Sequence, residues 1–494
     1  MQDVNFGISA VALVLLILLV QQQIAVWRWR CLISPAFYFG VVWSLGVIGN
    51  MVFDSAGLLV KLHPEYINEL NGFVAFTAFC FLLFTRVGAR GVRRDAIVQI
   101  HFIRKYSLFN LLSLLLLAVA VATFVKAGAS LDMGQSREDM HDNVENQSAI
   151  VGYVQTVATP LSIFAGSVCA GLMAGRLRLS VPQKLLTFTP LLANLFFSLY
   201  LGGRVNFVYG AIDYLVGFCL AMQIKENARV SGKVIRWAVA GFLVLNIFIT
   251  AVAWQREQHY GNAHYERVVR DNVALAVAYG PIEYVNSTYI GYQCRRVDAV
   301  DLDHLGCGMY TFNGFINWTI PFSDKLGIKD VSIAKVLDAE YDSQETYDFE
   351  RVYYYMTHSC YIPLVKDFGV YWIYVVIFLL TLLSHLLFVN VQSYRVINRC
   401  VGLFFYYLFF NFWLRSNYYG TLSNSILVAL YGFLIIDILS VNYVRQRRNK
   451  RHSKKRLKPK QPKQPKQNEN GDIPPVEHEQ RRGGAAGVLP DSPA

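Results

Sequence analysis

The chain has 494 residues, 54% of them hydrophobic and 16% charged, with a formal net charge of +12. Its apolar runs recur along the whole length and several exceed the roughly 20 residues a helix needs to cross a bilayer, which excludes a single soluble domain. The positive excess does not point to nucleic acid. Twelve Lys and Arg lie between Arg445 and Lys466 with no Asp or Glu among them, and outside that stretch 34 of the 46 bases face 34 acids.

The pattern predicts an all-α, polytopic integral membrane protein of about eleven spans. In chain order these are 6–23, 33–60, 70–86, 107–127, 150–174, 185–201, 205–224, 236–254, 369–390, 400–415 and 423–441. The first run has no base before it and no small-residue cleavage site, so it reads as a retained span rather than a signal peptide. Four regions follow: membrane helices one to eight over 1–254, a large loop subdomain over 255–368, helices nine to eleven over 369–441, and a basic tail over 442–494. The tail's Pro, Gln and Lys repeats cannot build a core.

The loops alternate in chemistry. Those at 86–105, 176–184, 225–236 and 392–399 are basic, like the tail, whereas 130–147 is acidic and 255–366 holds ten Lys or Arg to fifteen Asp or Glu. The positive-inside rule places the basic set in the cytoplasm. That puts the N-terminus outside and the C-terminus inside, as an odd number of spans requires. Arg204, in "LGGRVN", then falls at the outer boundary between spans six and seven, where it can face the protein interior or snorkel to headgroups.

A connector of 112 residues, 255–366, is long enough to be folded or functional. It contains the helix-like "HYERVVRDNVALAVAYGPIEYV", in which Arg267 and Arg270 share a face. It ends in the tyrosine-rich "RVYYYMTHSCYIPLVKDFG", whose aromatic faces with polar edges suit sugars. Cys294 and Cys307 bracket a short segment of this loop and are expected to form a disulfide in an oxidising compartment, with Cys360 as the other candidate partner. Asp301 and Asp303 form an isolated Asp-x-Asp in an acid-rich loop, and no metal site is expected there.

Several stretches together resemble bacterial O-antigen polymerases, the oligosaccharide repeat-unit polymerases. These are "SPAFYFGVVWSLG", the arginine-bearing outer loop at 130–150, the "GGRVNF" turn, "RVVRDN" with "AYGPIEYVN" in the large loop, and "DFGVYW" at the start of span nine. The likeness covers most of residues 1–440. It implies a multi-pass glycosyltransferase of the bacterial inner membrane, using no cofactor, whose large loop is periplasmic. Its substrate would be an oligosaccharide on undecaprenyl diphosphate, its other partners membrane lipids and a chain-length-regulating protein.

The chemistry the resemblance implies can be set against the residues. The leaving group is a lipid diphosphate, an anion that gains charge as the glycosidic bond breaks. Arginine grips phosphate oxygens at two points and keeps its charge, so Arg204, Arg137, Arg267 and Arg270 are the expected diphosphate ligands. His358 and Asp367 are the candidate general bases for the attacking hydroxyl, although Asp367 could equally cap the following helix. Tyr353 and Tyr354 are the expected glycan contacts. The competing readings are a ligase that transfers glycan to lipid A core, a transporter or flippase for lipid-linked glycan, and a non-enzymatic component of a polysaccharide machine.

Overall fold

A computed structural model describes residues 5–55, 63–89, 106–126, 149–173, 180–200, 205–222, 359–391 and 400–414, with loop positions 236, 240, 288, 289, 291–293, 296, 305–308 and 311. All lie in the first of two units, Met1–Arg445, and the second, Gln446–Ala494, lies outside the described residues. The elements are α1 (Phe6–Trp27), a 3₁₀ turn (Arg28–Ile33), α2 (Pro35–Ser55), α3 (Pro64–Phe84), α4 (Tyr106–Lys126) and α5 (Ala149–Met173). They continue with α6 (Val181–Leu186), α7 (Thr189–Tyr200), α8 (Val205–Met222), α9 (Tyr361–Val391) and α10 (Cys400–Leu414). Among the described residues there is no strand.

Among the described residues four helices are long and apolar enough to cross a membrane: Phe6–Trp27, Pro35–Val52, Pro64–Phe84 and Tyr361–Val391. Shorter apolar stretches lie in α4, α5 and α8. An all-helical membrane protein follows from the chemistry of lipid, where each helix satisfies its own backbone groups. Of the other expected spans, 423–441 lies outside the described residues, and 236–254 does so except for the helical positions Arg236 and Ala240.

Local signals set the helix starts. The Asn5 side chain accepts from the amides of Gly7 (2.9 Å) and Ile8 (3.4 Å) and so caps α1. Pro64 opens α3, where its missing N–H costs nothing.

One core joins α1, α2, α3, α9 and α10 through Leu16, Phe39, Trp43, Phe73, Phe81, Ile377, Tyr406 and Trp413. Buried polar contacts show which way each helix runs. At one end the Asn5 amide donates to Asn68 (2.7 Å) and Asn71 Nδ2 to Ser9 Oγ (3.0 Å). At the other, Gln23 Nε2 donates to Thr85 Oγ1 (2.9 Å) and Trp27 Nε1 to the Thr85 carbonyl (3.1 Å). So α1 and α3 are parallel. Beyond its kink α9 runs the same way, with Tyr374 on Phe73 and Phe76, Phe378 on Phe84, and His385 against the Val87 carbonyl. The opposite direction is taken by α2, and α10 lies along it, pairing Phe410 with Tyr38 and Trp413 with Phe39.

A second core gathers α4, α5 and α7 around Leu116, Ala120, Phe164, Val168 and Phe197. Close contact between α5 and α8 depends on Gly166 and Gly217, and Ser167 Oγ bonds the Gly217 carbonyl across the seam (3.0 Å). Asp213 of α8, 2% exposed, accepts a hydrogen bond from Tyr407 of α10, and this polar contact ties α8 to the first core.

Candidate functional site

The start of α3 carries "HPEYINEL" over 63–70, in which Tyr66 and Glu69 are three residues apart and share a face. Against it sit loop positions Tyr289, Tyr292, Gln293 and Arg296, spaced so that they also share one helical face, and every one of them is helical. Each makes a bond to α3 or the residue before it. Tyr289 donates to Asn71 Oδ1 (2.8 Å), Tyr292 to Glu69 Oε1 (2.5 Å), and the His63 amide donates to Gln293 Oε1 (3.2 Å). Arg296 grips Glu69 at two points, Nε to Oε1 at 2.5 Å and Nη2 to Oε2 at 3.0 Å. Its guanidinium also lies 5.0 Å from the centre of the Tyr66 ring.

The electrostatics are those of a mostly buried ion pair. Burial alone would pull Arg296 down, but the Glu69 contact outweighs it and holds the guanidinium above its ordinary value. Burial, and then the Glu69 charge, push the Tyr292 phenol well up, so it stays a donor. With two charge-assisted bonds and a phenol on one carboxylate, this cluster clamps the loop to the bundle.

Beside the clamp is a histidine–carboxylate pair. His63 Nδ1 lies 3.3 Å from Glu65 Oε1, with the side chains 34% and 47% exposed. The imidazole is 5.2 Å from the Tyr66 ring, so imidazole and guanidinium both border that tyrosine.

A second seat holds positions 305–308 and 311 on the start of α9. Gly369 (φ 65°, ψ −179°) breaks the helix there, in a conformation essentially confined to glycine. The carbonyls of Lys366 and Asp367, just before the break, accept from the amides of Gly306 (3.2 Å) and Cys307 (3.1 Å). Asp367 Oδ2 accepts from the Thr311 amide at 2.5 Å, and the residue is 1% exposed. Of the expected site residues, Asp367 is the described one, and its carboxylate oxygen Oδ2 faces loop backbone. Arg137, Arg204, Arg267, Arg270, Tyr353, Tyr354 and His358 lie outside the described residues, as do Asp301 and Asp303.

Cys294 lies outside the described residues, and neither Cys307 nor Cys360 is in a bridge. Cys307 carries a free thiol and is exposed, and Cys360 is free and buried. Burial pushes the Cys360 thiol well up, which keeps it protonated and unreactive. Cys307 sits in a tight turn (φ 48°, with Gly308 at 97°) that is held by Asp367 rather than by a bridge.

Sequence reasoning missed His63, Glu65, Glu69, Tyr292 and Arg296. The helical spacing of the loop tyrosines with Arg296 was a usable signal, whereas nothing local linked that face to α3, 218 or more residues away. Compared with protein-family models, with curated proteins and with solved structures, the chain matches none.

Proposed function

We propose that the chain is a glycosyltransferase of the bacterial inner membrane that joins undecaprenyl-diphosphate-linked oligosaccharide repeat units at the periplasmic face. The observation that carries this reading is the seating of two loop segments on the starts of α3 and α9. They bring Arg296, Glu69, His63 and Asp367 to one end of a membrane bundle. The exposed aromatics Tyr371 and Trp372, 86% and 68% exposed, stand just past the kink, and aromatic residues of this kind are enriched at membrane–water interfaces. A lipid-linked diphosphate carries its charge at such an interface.

In this reading the acceptor hydroxyl attacks the anomeric carbon next to the diphosphate, and the lipid diphosphate departs with the electron pair. Arg137, Arg204, Arg267 and Arg270 stabilise that anion, and Tyr353 and Tyr354 hold glycan. Positive groups fixed in a water-poor site are usually the largest catalytic term. The loop clamp and the Asp367 seat keep the loop in place.

The test is purified protein in lipid nanodiscs with an undecaprenyl-diphosphate-linked repeat unit, read by glycan length on a gel. A ladder supports polymerisation. A single transfer to added lipid A core makes the protein a ligase, and no new glycosidic bond leaves a transporter or a structural component.

A further inference from the structure

Glycosyl transfer to a hydroxyl needs somewhere for the hydroxyl proton to go. The described carboxylates and imidazole at the seated end are those of His63, Glu65, Glu69 and Asp367. Glu69 already receives two bonds from Arg296 and one from Tyr292. Asp367 is buried, with Oδ2 on the Thr311 amide. His63 differs in three respects. Its ring is one-third exposed, its Nδ1 faces Glu65 at 3.3 Å, and its backbone amide is held by Gln293 of the seated loop. A carboxylate near Nδ1 favours the tautomer that carries its proton there, and in that tautomer Nε2 is an acceptor.

We propose that His63, oriented by Glu65, is the general base of the transfer; this rests on the glycosyltransferase reading above. The acceptor oxygen bonds to the anomeric carbon as the bond from that carbon to the phosphate oxygen breaks. The electron pair leaves with the lipid diphosphate. The hydroxyl proton passes to His63 Nε2 and then to water. Arg296, on the other contact of the shared Tyr66 ring, keeps the loop that holds the His63 backbone in place.

The experiment is the nanodisc ladder assay on the parent, His63→Gln, His63→Ala and Glu65→Gln, normalised to folded protein. His63→Gln should lower kcat by about 10²–10⁴-fold with KM for the lipid-linked unit little changed. Glu65→Gln should give a smaller fall, again in kcat. Added imidazole should restore part of the His63→Ala rate and leave the parent unaffected, a response that a structural histidine would not give. If the parent builds ladders and His63→Gln keeps pace with it, or imidazole restores nothing to a folded, slow His63→Ala, the base is elsewhere and the polymerase reading survives. A parent that makes no glycosidic bond sinks both.

Discussion

The seam between α5 and α8 gives the sharpest mechanical test of the fold. A Cβ placed on Gly217 would lie 1.7 Å from the Ile163 carbonyl oxygen and 2.6 Å from its carbon, both backbone atoms that cannot rotate away. A comfortable carbon–oxygen contact is about 3.3 Å. Gly217→Ala must therefore part the two backbones by about 1.6 Å at that point. Overpacking of this kind costs about 1–3 kcal/mol. The separation also strains the Ser167 bond to the Gly217 carbonyl, and such bonds between membrane helices average about 0.6 kcal/mol. The expected loss is about 2–4 kcal/mol. Gly72→Ala is the matched control: Gly72 lies within α3 with nothing inside 4 Å of its added Cβ, so alanine should be neutral or stabilising by up to about 1 kcal/mol. Denaturant unfolding in detergent, followed by circular dichroism, measures both. Equal stability of the two variants would refute the close approach and with it the packing of α5 on α8.

Three further substitutions address the loop seats. Arg296→Ala leaves a mostly buried Glu69 with the Tyr292 phenol alone and should cost about 2–3 kcal/mol, below the range for a fully buried pair because Glu69 is 18% exposed. Arg296→Lys should fall between, keeping charge but losing the two-point grip; thermal unfolding and protease sensitivity of the large loop report both, and an unchanged Arg296→Ala would remove the clamp. Gly369→Ala should cost about 1–3 kcal/mol by forcing a side chain into a glycine conformation, and it should speed amide exchange at Gly306, Cys307 and Thr311. Unchanged exchange there would mean that the kink does not support the seat.

The apolar body of a span, as in Phe6–Trp27, was legible because lipid demands long apolar helices whatever their partners, whereas the polar start of α3 at Pro64–Glu69 fell outside the expected span of 70–86. The break in α9 was less so. "DFGVYW" announces a helix start, and α9 begins earlier, at Tyr361, and turns at Gly369. The seated loop was the least legible part. The Glu69–Arg296 pair joins residues 227 apart, and neither a glutamate early in a helix nor an arginine in a loop declares a partner at that distance. Asp367 was picked out for its chemistry, while what its Oδ2 bonds, the Thr311 amide, is a backbone group that no side-chain pattern encodes. The bridge expected of Cys307 rested on spacing in the chain. The Asp367 seat instead holds that turn by backbone hydrogen bonds, which a cysteine count cannot foresee.

The directions of the helices carry a last prediction. The start of α1 lies beside the start of α3 through Asn5 and Asn68, and Cys307 is held at the start of α9 by the Asp367 carbonyl. Since α1, α3 and α9 are parallel, the N-terminus of α1 and Cys307 belong to the same side of the membrane, and the turn after α3, at Arg86–Gly88, belongs to the other. Parity follows. A chain that leaves α3 on one side and enters α9 from the opposite side crosses an odd number of times between them. Five crossings, as the hydropathy pattern predicts, satisfy this, and four would not. The exposed Cys307 thiol is a ready reporter, because Cys31, Cys80, Cys219 and Cys360 are buried. With Cys169, Cys294 and Cys400 changed to Ser, an impermeant maleimide should label Cys307 from one side of the membrane, and a tag before Phe6 should be open to protease from that same side. A cysteine placed at Arg86 should react only from the opposite side. If Cys307 and the N-terminal tag answer from opposite sides, the parallel arrangement of α1 and α9 is wrong, and the seat of the loop falls with it.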